Sequence, residues 1–174
     1  MIENLLFKNK GDKILRKSEP LKLDINLPQD LYSFLKRKNP VPDYEGLKEK
    51  IKDEEVKNHL MIGYFVGDYF FNVSYFYEID KILNSFKYSN SEGHSLKLVK
   101  IGDNNIPEGG IYFGFGEKNK NQIFSFHNSP EYANDKEQIL VANTFSDLLN
   151  SLKIFYWSFE EETSKSIYTR ILLP

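Results

Sequence analysis

The stretch "GGIYFGFGEKNKNQIFSFHNSP", residues 109–130, decides how the fold is interpreted, because it reads either as a glycine-rich ligand loop or as a β-hairpin. Ile111, Phe113 and Phe115 recur at a period of two, which is typical of a half-buried strand. The polar residues 116–121 separate this strand from a second one at 123–127. The pattern therefore predicts an antiparallel hairpin with a six-residue loop.

The spacing of the glycines argues against the ligand loop. The stretch has neither the G-x-x-x-x-G-K-[ST] form of a P-loop nor a G-x-G-x-x-G run between a strand and a helix. Gly114 and Gly116 lie inside or beside a strand pattern, where glycine marks a bulge or a close backbone approach. We therefore expect no phosphate-containing cofactor at this loop.

The residues before the hairpin show both helix and strand patterns. In 27–39, "LPQDLYSFLKRKN", an apolar stripe at Leu31, Phe34 and Leu35 predicts a helix whose basic end, 36–38, is solvated. The run 61–77 predicts two strands with a turn near Gly67. Further elements are predicted as follows: a helix over 79–86, a strand over 95–102, and either a surface helix or a mobile loop over 44–60.

The residues after the hairpin continue this mixture. "ILVA", residues 139–142, predicts a short strand. "NTFSDLLNSLKIFYW", residues 143–157, predicts a helix, because Phe145, Leu148 and Leu149 share one face and Thr144 suits the N-cap, with Asp147 three residues on. Residues 167–173 are compatible with either a last strand or a helical turn.

Composition limits the classes of protein to which the chain can belong. A chain of 174 residues is long enough for one core, and the absence of cysteine excludes thiolate catalysis, cysteine-bound zinc and disulfides. No signal-peptide pattern and no run of about 18 apolar residues is present. We therefore expect a cytoplasmic protein with no membrane association. A single basic cluster at 36–38 gives no reason to expect nucleic-acid binding.

A search for catalytic or metal-binding groups finds none. His59, His94 and His127 form no H-E-x-x-H site. Ser125 and His127 share one side of a strand, but the sequence places no acid beside them, and no G-x-S-x-G motif is present. We therefore expect no catalytic residues, no metal site and no cofactor.

Two acidic runs, 53–55 and 160–162, are candidates for contact with a partner. A solvated face is the simpler interpretation of both. For Glu160, Glu161 and Glu162, the functional alternative is a patch that attracts a basic protein partner.

The order of these elements resembles the SUKH superfamily, the Smi/Knr-like domains. The resemblance covers residues 26–153 and rests on the following segments: Leu27–Leu35, Ile101-Gly102-Asp103, Gly110–Phe115, Ile123–His127 and Thr144–Leu149. Asn39-Pro40 departs from the Asn-Gly turn of the family after the first helix. We divide the chain accordingly into an N-terminal extension (1–25), a SUKH-like domain (26–155) and a C-terminal tail (156–174).

The resemblance implies an α+β fold, with a twisted, mainly antiparallel sheet and helices packed against it. It also implies protein binding without shared catalytic residues. Many bacterial members resemble immunity proteins that block a cognate polymorphic toxin, often a nuclease, whereas fungal members are regulators. We therefore expect an immunity protein, with a regulatory or scaffold domain that has no toxin partner as the alternative. Tyrosines on the solvent face of the sheet are further candidate contacts, although the sequence does not show which face this is.

Overall fold

The computed structural model describes residues 3–11, 27–67, 69–89, 97–104, 109–127, 137–159 and 166–170. Within these ranges the chain forms short helices and antiparallel strands. The helices are α1 (Glu3–Leu6), α2 (Gln29–Arg37), α3 (Tyr44–Lys48), α4 (Glu54–Asn58), α5 (Ile79–Ser89) and α6 (Phe145–Ser151). The strands are β1 (Leu60–Val66), β2 (Tyr69–Asn72), β3 (Tyr75–Phe76), β4 (Leu98–Asp103), β5 (Gly110–Gly114), β6 (Ile123–His127), β7 (Glu137–Ala142), β8 (Lys153–Phe159) and β9 (Ser166–Arg170).

The strands form two antiparallel sheets. One sheet has four strands in the order β2-β1-β8-β9, and the other has five in the order β3-β4-β5-β6-β7. Every strand pair in the described residues is antiparallel. The α+β class and the antiparallel pairing are therefore confirmed, and the single sheet that the resemblance implies is divided into two.

Residues 109–130 contain the predicted hairpin. β5 and β6 pair directly, with Ile111 opposite Ser125 and Phe113 opposite Ile123. All four of these residues are buried, which agrees with the period of two. Residues 128–130 lie outside the described part of the chain.

Asn119 organises the loop of this hairpin. Its Oδ1 accepts a hydrogen bond from the Gly116 backbone N–H at 3.1 Å, and its Nδ2 donates to the Lys97 carbonyl at 3.1 Å. A Cβ added at Gly114 would lie only 2.1 Å from the Asn119 backbone oxygen. The glycine is therefore required for a close backbone approach, as the sequence predicts, and no ligand is needed to explain it.

Most of the other predicted elements are present. α2 lies within 27–39, α5 begins at the predicted Ile79, and β4 and β7 overlap their predicted stretches. Gly67 has a φ of 58° and joins β1 to β2. Residues 44–60, left open by the sequence, contain α3 and α4, and the last described segment is the strand β9.

The helix predicted over 143–157 is wrong beyond Ser151. Thr144 is its N-cap and accepts a hydrogen bond from the Asp147 N–H at 3.0 Å, as predicted. The chain then enters β8 at Lys153, because the β-branched and aromatic residues that follow pair with β1. Tertiary pairing therefore overrides the continuation of the helical pattern.

The N-terminal residues 3–11 pack against the rest of the chain. Leu6 and Phe7 are buried in the core. Lys38, predicted to be solvated, is only 4% exposed, and its Nζ donates to Asn4 Oδ1 at 2.7 Å and Asn9 Oδ1 at 2.8 Å. The buried ammonium therefore anchors this segment to the end of α2. The predicted boundaries at residues 25 and 155 stay predictions.

Four phenylalanine rings join separate elements at the centre of the core. Phe34 of α2 lies 5.1 Å from Phe7, 5.5 Å from Phe76 of β3 and 5.3 Å from Phe145 of α6, measured between ring centroids. These rings meet edge to face, the arrangement that aromatic pairs favour. Phe34 therefore holds the N-terminal segment, two helices and a strand of the five-stranded sheet together.

Replacement of Phe34 by alanine should remove the contacts that connect these elements. We expect Phe34→Ala to lower the free energy of unfolding by about 3–5 kcal/mol, because a large cavity forms in a packed core. Urea unfolding followed by circular dichroism measures this loss. Val41→Ala is the control, since Val41 is 48% exposed and its truncation should change stability by less than about 0.5 kcal/mol. A loss below about 1 kcal/mol for Phe34→Ala would contradict the central role of this ring.

Gly114→Ala should destabilise the hairpin, because the added methyl group overlaps the Asn119 backbone. We expect a loss of roughly 1–3 kcal/mol in the free energy of unfolding, the usual cost of overpacking. Gly11→Ala is the matched control, since an added Cβ there meets no atom within 4 Å in the described structure. Equal stability of the two variants would show that the loop adjusts without cost.

Candidate functional site

Among the candidate residues from the sequence, the structure describes the side chains of His59 and Ser125. Glu160, Glu161, Glu162 and His94 lie outside the described residues. His59 follows α4 on the surface. Ser125 is fully buried, where its hydroxyl donates to the Gly110 carbonyl at 3.2 Å and accepts from Asn104 Nδ2 at 3.1 Å. This serine is therefore part of an internal hydrogen-bond network and is not an accessible nucleophile.

The described ranges contain no group of three or more His, Asp or Glu side chains placed to hold a metal ion. Nor does any helix in these ranges combine the length and the apolar character needed to cross a bilayer.

A polar cluster lies on the five-stranded sheet and joins the edge of the core, because its member Tyr77 is only 8% exposed. We call it the tyrosine face, and it consists of Tyr75, Tyr77, Lys81, Lys100, Asp103 and Tyr112. Neighbouring strands bring these residues together: Tyr75 lies opposite Asp103, and Lys100 lies opposite Tyr112. The intervening residues of the strands face inward, so Val99 is buried in the core.

A β-bulge directs Asp103 onto the tyrosine face. Strict alternation along β4 would place residue 103 on the core side with Ile101. The register shifts between Lys100 and Gly102, so one extra residue is inserted and Asp103 joins Lys100 on the outer side. Gly102 also allows β3 to approach, because a Cβ there would lie 2.7 Å from the Tyr75 carbonyl oxygen.

The Asp103 carboxylate is the centre of the cluster. The hydroxyls of Tyr75 and Tyr77 both donate to its Oδ2, each at 3.0 Å. Its Oδ1 forms a salt bridge with Lys100 Nζ at 2.9 Å. Because both oxygens are engaged, the two tyrosines and the lysine are held in defined positions.

A lysine from α5 completes the cluster. Lys81, in the first turn of that helix, is exposed, and its Nζ lies 3.7 Å from the ring centroid of Tyr77. At this distance the ammonium group is attracted by the electron-rich face of the ring. The helix therefore adds a positive charge directly above the tyrosines of the sheet.

The protonation states of these groups follow from their contacts. Burial acts to raise the pKa of Asp103, but the bonds from Lys100 and the two tyrosines outweigh burial and hold this pKa below its ordinary value. Burial, followed by the hydrogen bond to Asp103, raises the pKa of Tyr77. Burial and then the charge of Asp103 raise the pKa of Tyr112. At neutral pH the carboxylate is therefore ionised and these phenols are protonated, which suits non-covalent contacts.

A second aromatic surface lies on the four-stranded sheet. We call it the phenylalanine patch, and it consists of Phe65, Phe70 and Phe155, whose ring centroids are 5.2–5.3 Å apart. Phe65 is 42% exposed. Gly63 makes room for the patch, because a Cβ there would lie 2.6 Å from the Phe70 ring.

The sequence predicts contact tyrosines on a solvent face of the sheet but does not show which face this is. The alternation of Tyr112 with Ile111 and Phe113 is a signal for the direction of one tyrosine. Sequence reasoning missed the role of Asp103, which it treated only as part of a turn motif. The glycine before Asp103 was a signal for the bulge, but its effect on side-chain direction depends on the pairing of β4 with β5.

Asp103→Asn should reduce stability in a pH-dependent way. The pKa of Asp103 is lowered by folding, so its contribution is present above the ordinary value of 3.8 and is lost as the pH falls through the lower folded-state pKa. We expect the variant to be less stable than the wild type by about 1 kcal/mol at pH 7 and by clearly less near pH 2.5.

Urea unfolding at the two pH values measures this difference. Glu117→Gln is the control, since Glu117 is exposed in the hairpin loop and its replacement should have little effect. If the difference between wild type and Asp103→Asn is the same at both pH values, the carboxylate does not stabilise the cluster through its charge.

Comparison with known proteins identifies a family that the chain matches. A model described as the SMI1 / KNR4 family (SUKH-1) matches residues 21–151, a range that contains the whole tyrosine face and more than half of the chain. Searches of curated proteins and of solved structures found no match to the chain. By the family match, together with the helices and antiparallel sheets described above, the chain belongs to the SMI1 / KNR4 family (SUKH-1).

Proposed function

We propose that the chain is a non-catalytic immunity protein that binds a cognate toxin domain and covers its active site or a nearby surface. Family membership is the observation that carries this proposal, because the resemblance implies protein binding, commonly of polymorphic toxins. A nuclease is the toxin activity that we propose. The absence of a reactive grouping around Ser125 and Asp103 in the described residues is compatible with binding in place of catalysis.

The tyrosine face is the surface that we propose for the toxin. Tyrosine is enriched at binding hot spots because its ring contributes a large apolar contact area and its hydroxyl forms hydrogen bonds. Here Tyr75 and Tyr77 are fixed by Asp103 before any partner arrives. A surface that is already ordered loses little conformational entropy on binding, which favours affinity.

Other features of the proposal come from the sequence. Glu160, Glu161 and Glu162 are proposed as a second contact, through attraction to a basic region of the toxin. We place the protein in the cytoplasm, with no cofactor and no nucleic-acid or membrane partner. The alternative is a regulatory or scaffold domain without a toxin partner, which the same experiment distinguishes.

The test begins with a tagged full-length chain and mass spectrometry of proteins that co-purify from the source cell. We expect a toxin domain in stoichiometric amount, whose activity the purified chain inhibits. Recovery of housekeeping proteins only would favour the scaffold alternative. Isothermal titration calorimetry with the purified toxin then measures the affinity of surface variants.

Tyr75→Ala should weaken toxin binding by about 30-fold, the effect of losing a hot-spot tyrosine. Phe65→Ala is the matched control, since it truncates an exposed aromatic ring on the other sheet. Replacement of Glu160, Glu161 and Glu162 by glutamine tests the second contact separately. Full affinity of Tyr75→Ala, with loss of binding by Phe65→Ala, would place the toxin on the phenylalanine patch instead.

A further inference from the structure

Three buried polar side chains come together between the two sheets. Tyr64 lies on β1 of the four-stranded sheet, Ser125 lies on β6 of the five-stranded sheet, and Asn104 directly follows β4. All three residues are 0% exposed. Asn104 Nδ2 donates to Ser125 Oγ at 3.1 Å, and the hydroxyls of Ser125 and Tyr64 are neighbours. The apolar core therefore contains a polar group at the junction of the sheets.

The single proton of the Ser125 hydroxyl fixes the orientation of the Asn104 amide. Ser125 Oγ donates this proton to the Gly110 carbonyl at 3.2 Å, and a carbonyl oxygen can only accept. Asn104 must therefore present its N–H group to Ser125. The other end of the amide, Asn104 Oδ1, is an acceptor directed elsewhere in the core.

Two atoms of this group are left unsatisfied. Tyr64 Oη and Asn104 Oδ1 are buried and have no hydrogen-bond partner within the part of the chain that the structure describes. Burial raises the pKa of Tyr64 to about 12, although the nearby Ser125 hydroxyl acts to lower this pKa, so Tyr64 is protonated at neutral pH and can donate. An unpaired buried donor or acceptor is costly, and such groups in native cores are nearly always bonded to protein or to water.

The chemistry of the surrounding atoms favours a small neutral ligand. The group consists of two hydroxyls, an amide and a carbonyl, and an ion among them would lose its hydration without a counter-charge. The ligand has to donate to Asn104 Oδ1 and has to accept from Tyr64. Ser125 Oγ has two acceptor sites, of which Asn104 Nδ2 uses one. A water molecule meets all three requirements, and about three hydrogen bonds are usual for a buried water.

We propose that one water molecule is bound between the two sheets, where it accepts a hydrogen bond from Tyr64 and donates to Asn104 Oδ1 and Ser125 Oγ. The site goes beyond the proposed function and does not depend on it. The water would connect β1 to β6 and to the end of β4, which belong to different sheets. Because Asn104 directly follows Asp103, it would also help to hold the strand end that carries the carboxylate of the tyrosine face.

A crystal structure of the full chain, at a resolution that shows ordered water, tests the site directly. We expect one solvent peak within about 2.5–3.0 Å of both Tyr64 Oη and Asn104 Oδ1. A direct bond from Tyr64 Oη to Asn104 or Ser125, with no solvent peak between them, would overturn the proposal. A metal ion at this position would overturn it as well, because the ligand would then be charged.

Tyr64→Phe gives a second test, in which the sign of the change is informative. The substitution removes only the hydroxyl and retains the ring, so the variant should fold. If the hydroxyl is bonded to water, the melting temperature, Tm, should fall by about 3–6 °C. An unchanged or higher Tm would show that the hydroxyl is buried without a partner, and it would contradict the proposal.

Tyr32→Phe is the matched control, because it removes the same group from a partly exposed position of α2. It should change Tm by less than about 2 °C. A direct bond between Tyr64 and Ser125 would also lower the Tm of Tyr64→Phe, and the crystal structure separates that case from a bound water. Loss of the water site would leave the toxin-binding proposal unaffected, since that proposal is tested by co-purification.

Discussion

The packing of Phe34 against three other phenylalanine rings is the interaction on which the rest of the structure depends. These rings come from parts of the chain that are far apart in sequence, and they meet in one buried cluster. Phe76 is the ring that β3 contributes. Phe76 packs in the core, while the hydroxyls of its neighbours Tyr75 and Tyr77 meet Asp103. This short segment therefore contributes to both the core and the tyrosine face.

The bulge in β4 is the second constraint, and it acts on a single side chain. Without the register shift near Gly102, Asp103 would face the core, where an ionised carboxylate is costly unless it is paired. On the outer face it is partly exposed and is satisfied by Lys100 and two tyrosines. The bulge thus places the Asp103 carboxylate where it can orient Lys100 and the two tyrosines.

The two aromatic surfaces differ in how they are supported. The rings of the phenylalanine patch pack on one another, and their contacts are apolar. The tyrosines are accompanied by a fixed carboxylate and two lysines. These groups add charge and directional hydrogen bonds to the surface. Specific recognition needs such polar features, because apolar contact alone discriminates weakly between partners. This difference is why we propose the tyrosine face as the partner surface.

The predicted helices and strands differ in how far residues close together in the chain determine them. The hairpin around Gly114, the α2 stripe at Phe34 and the Thr144 cap were predictable, because each depends on residues close together in the chain. The helical pattern after Ser151 gave a wrong prediction, because these residues form β8 by pairing with β1, which is distant in the chain. Local patterns cannot contain information about a distant partner strand.

By itself, the sequence determined the class of elements, the inward side of α2, α6 and the first hairpin strand, and the resemblance to a family. Only the tertiary structure decided that the strands divide into two sheets, that Lys38 is buried against Asn4 and Asn9, and that Asp103 faces outward. The physical reason is that hydrophobic periodicity shows only on which face of its own helix or strand each side chain lies. Which elements meet, and at what register, depends on packing between residues distant in the chain.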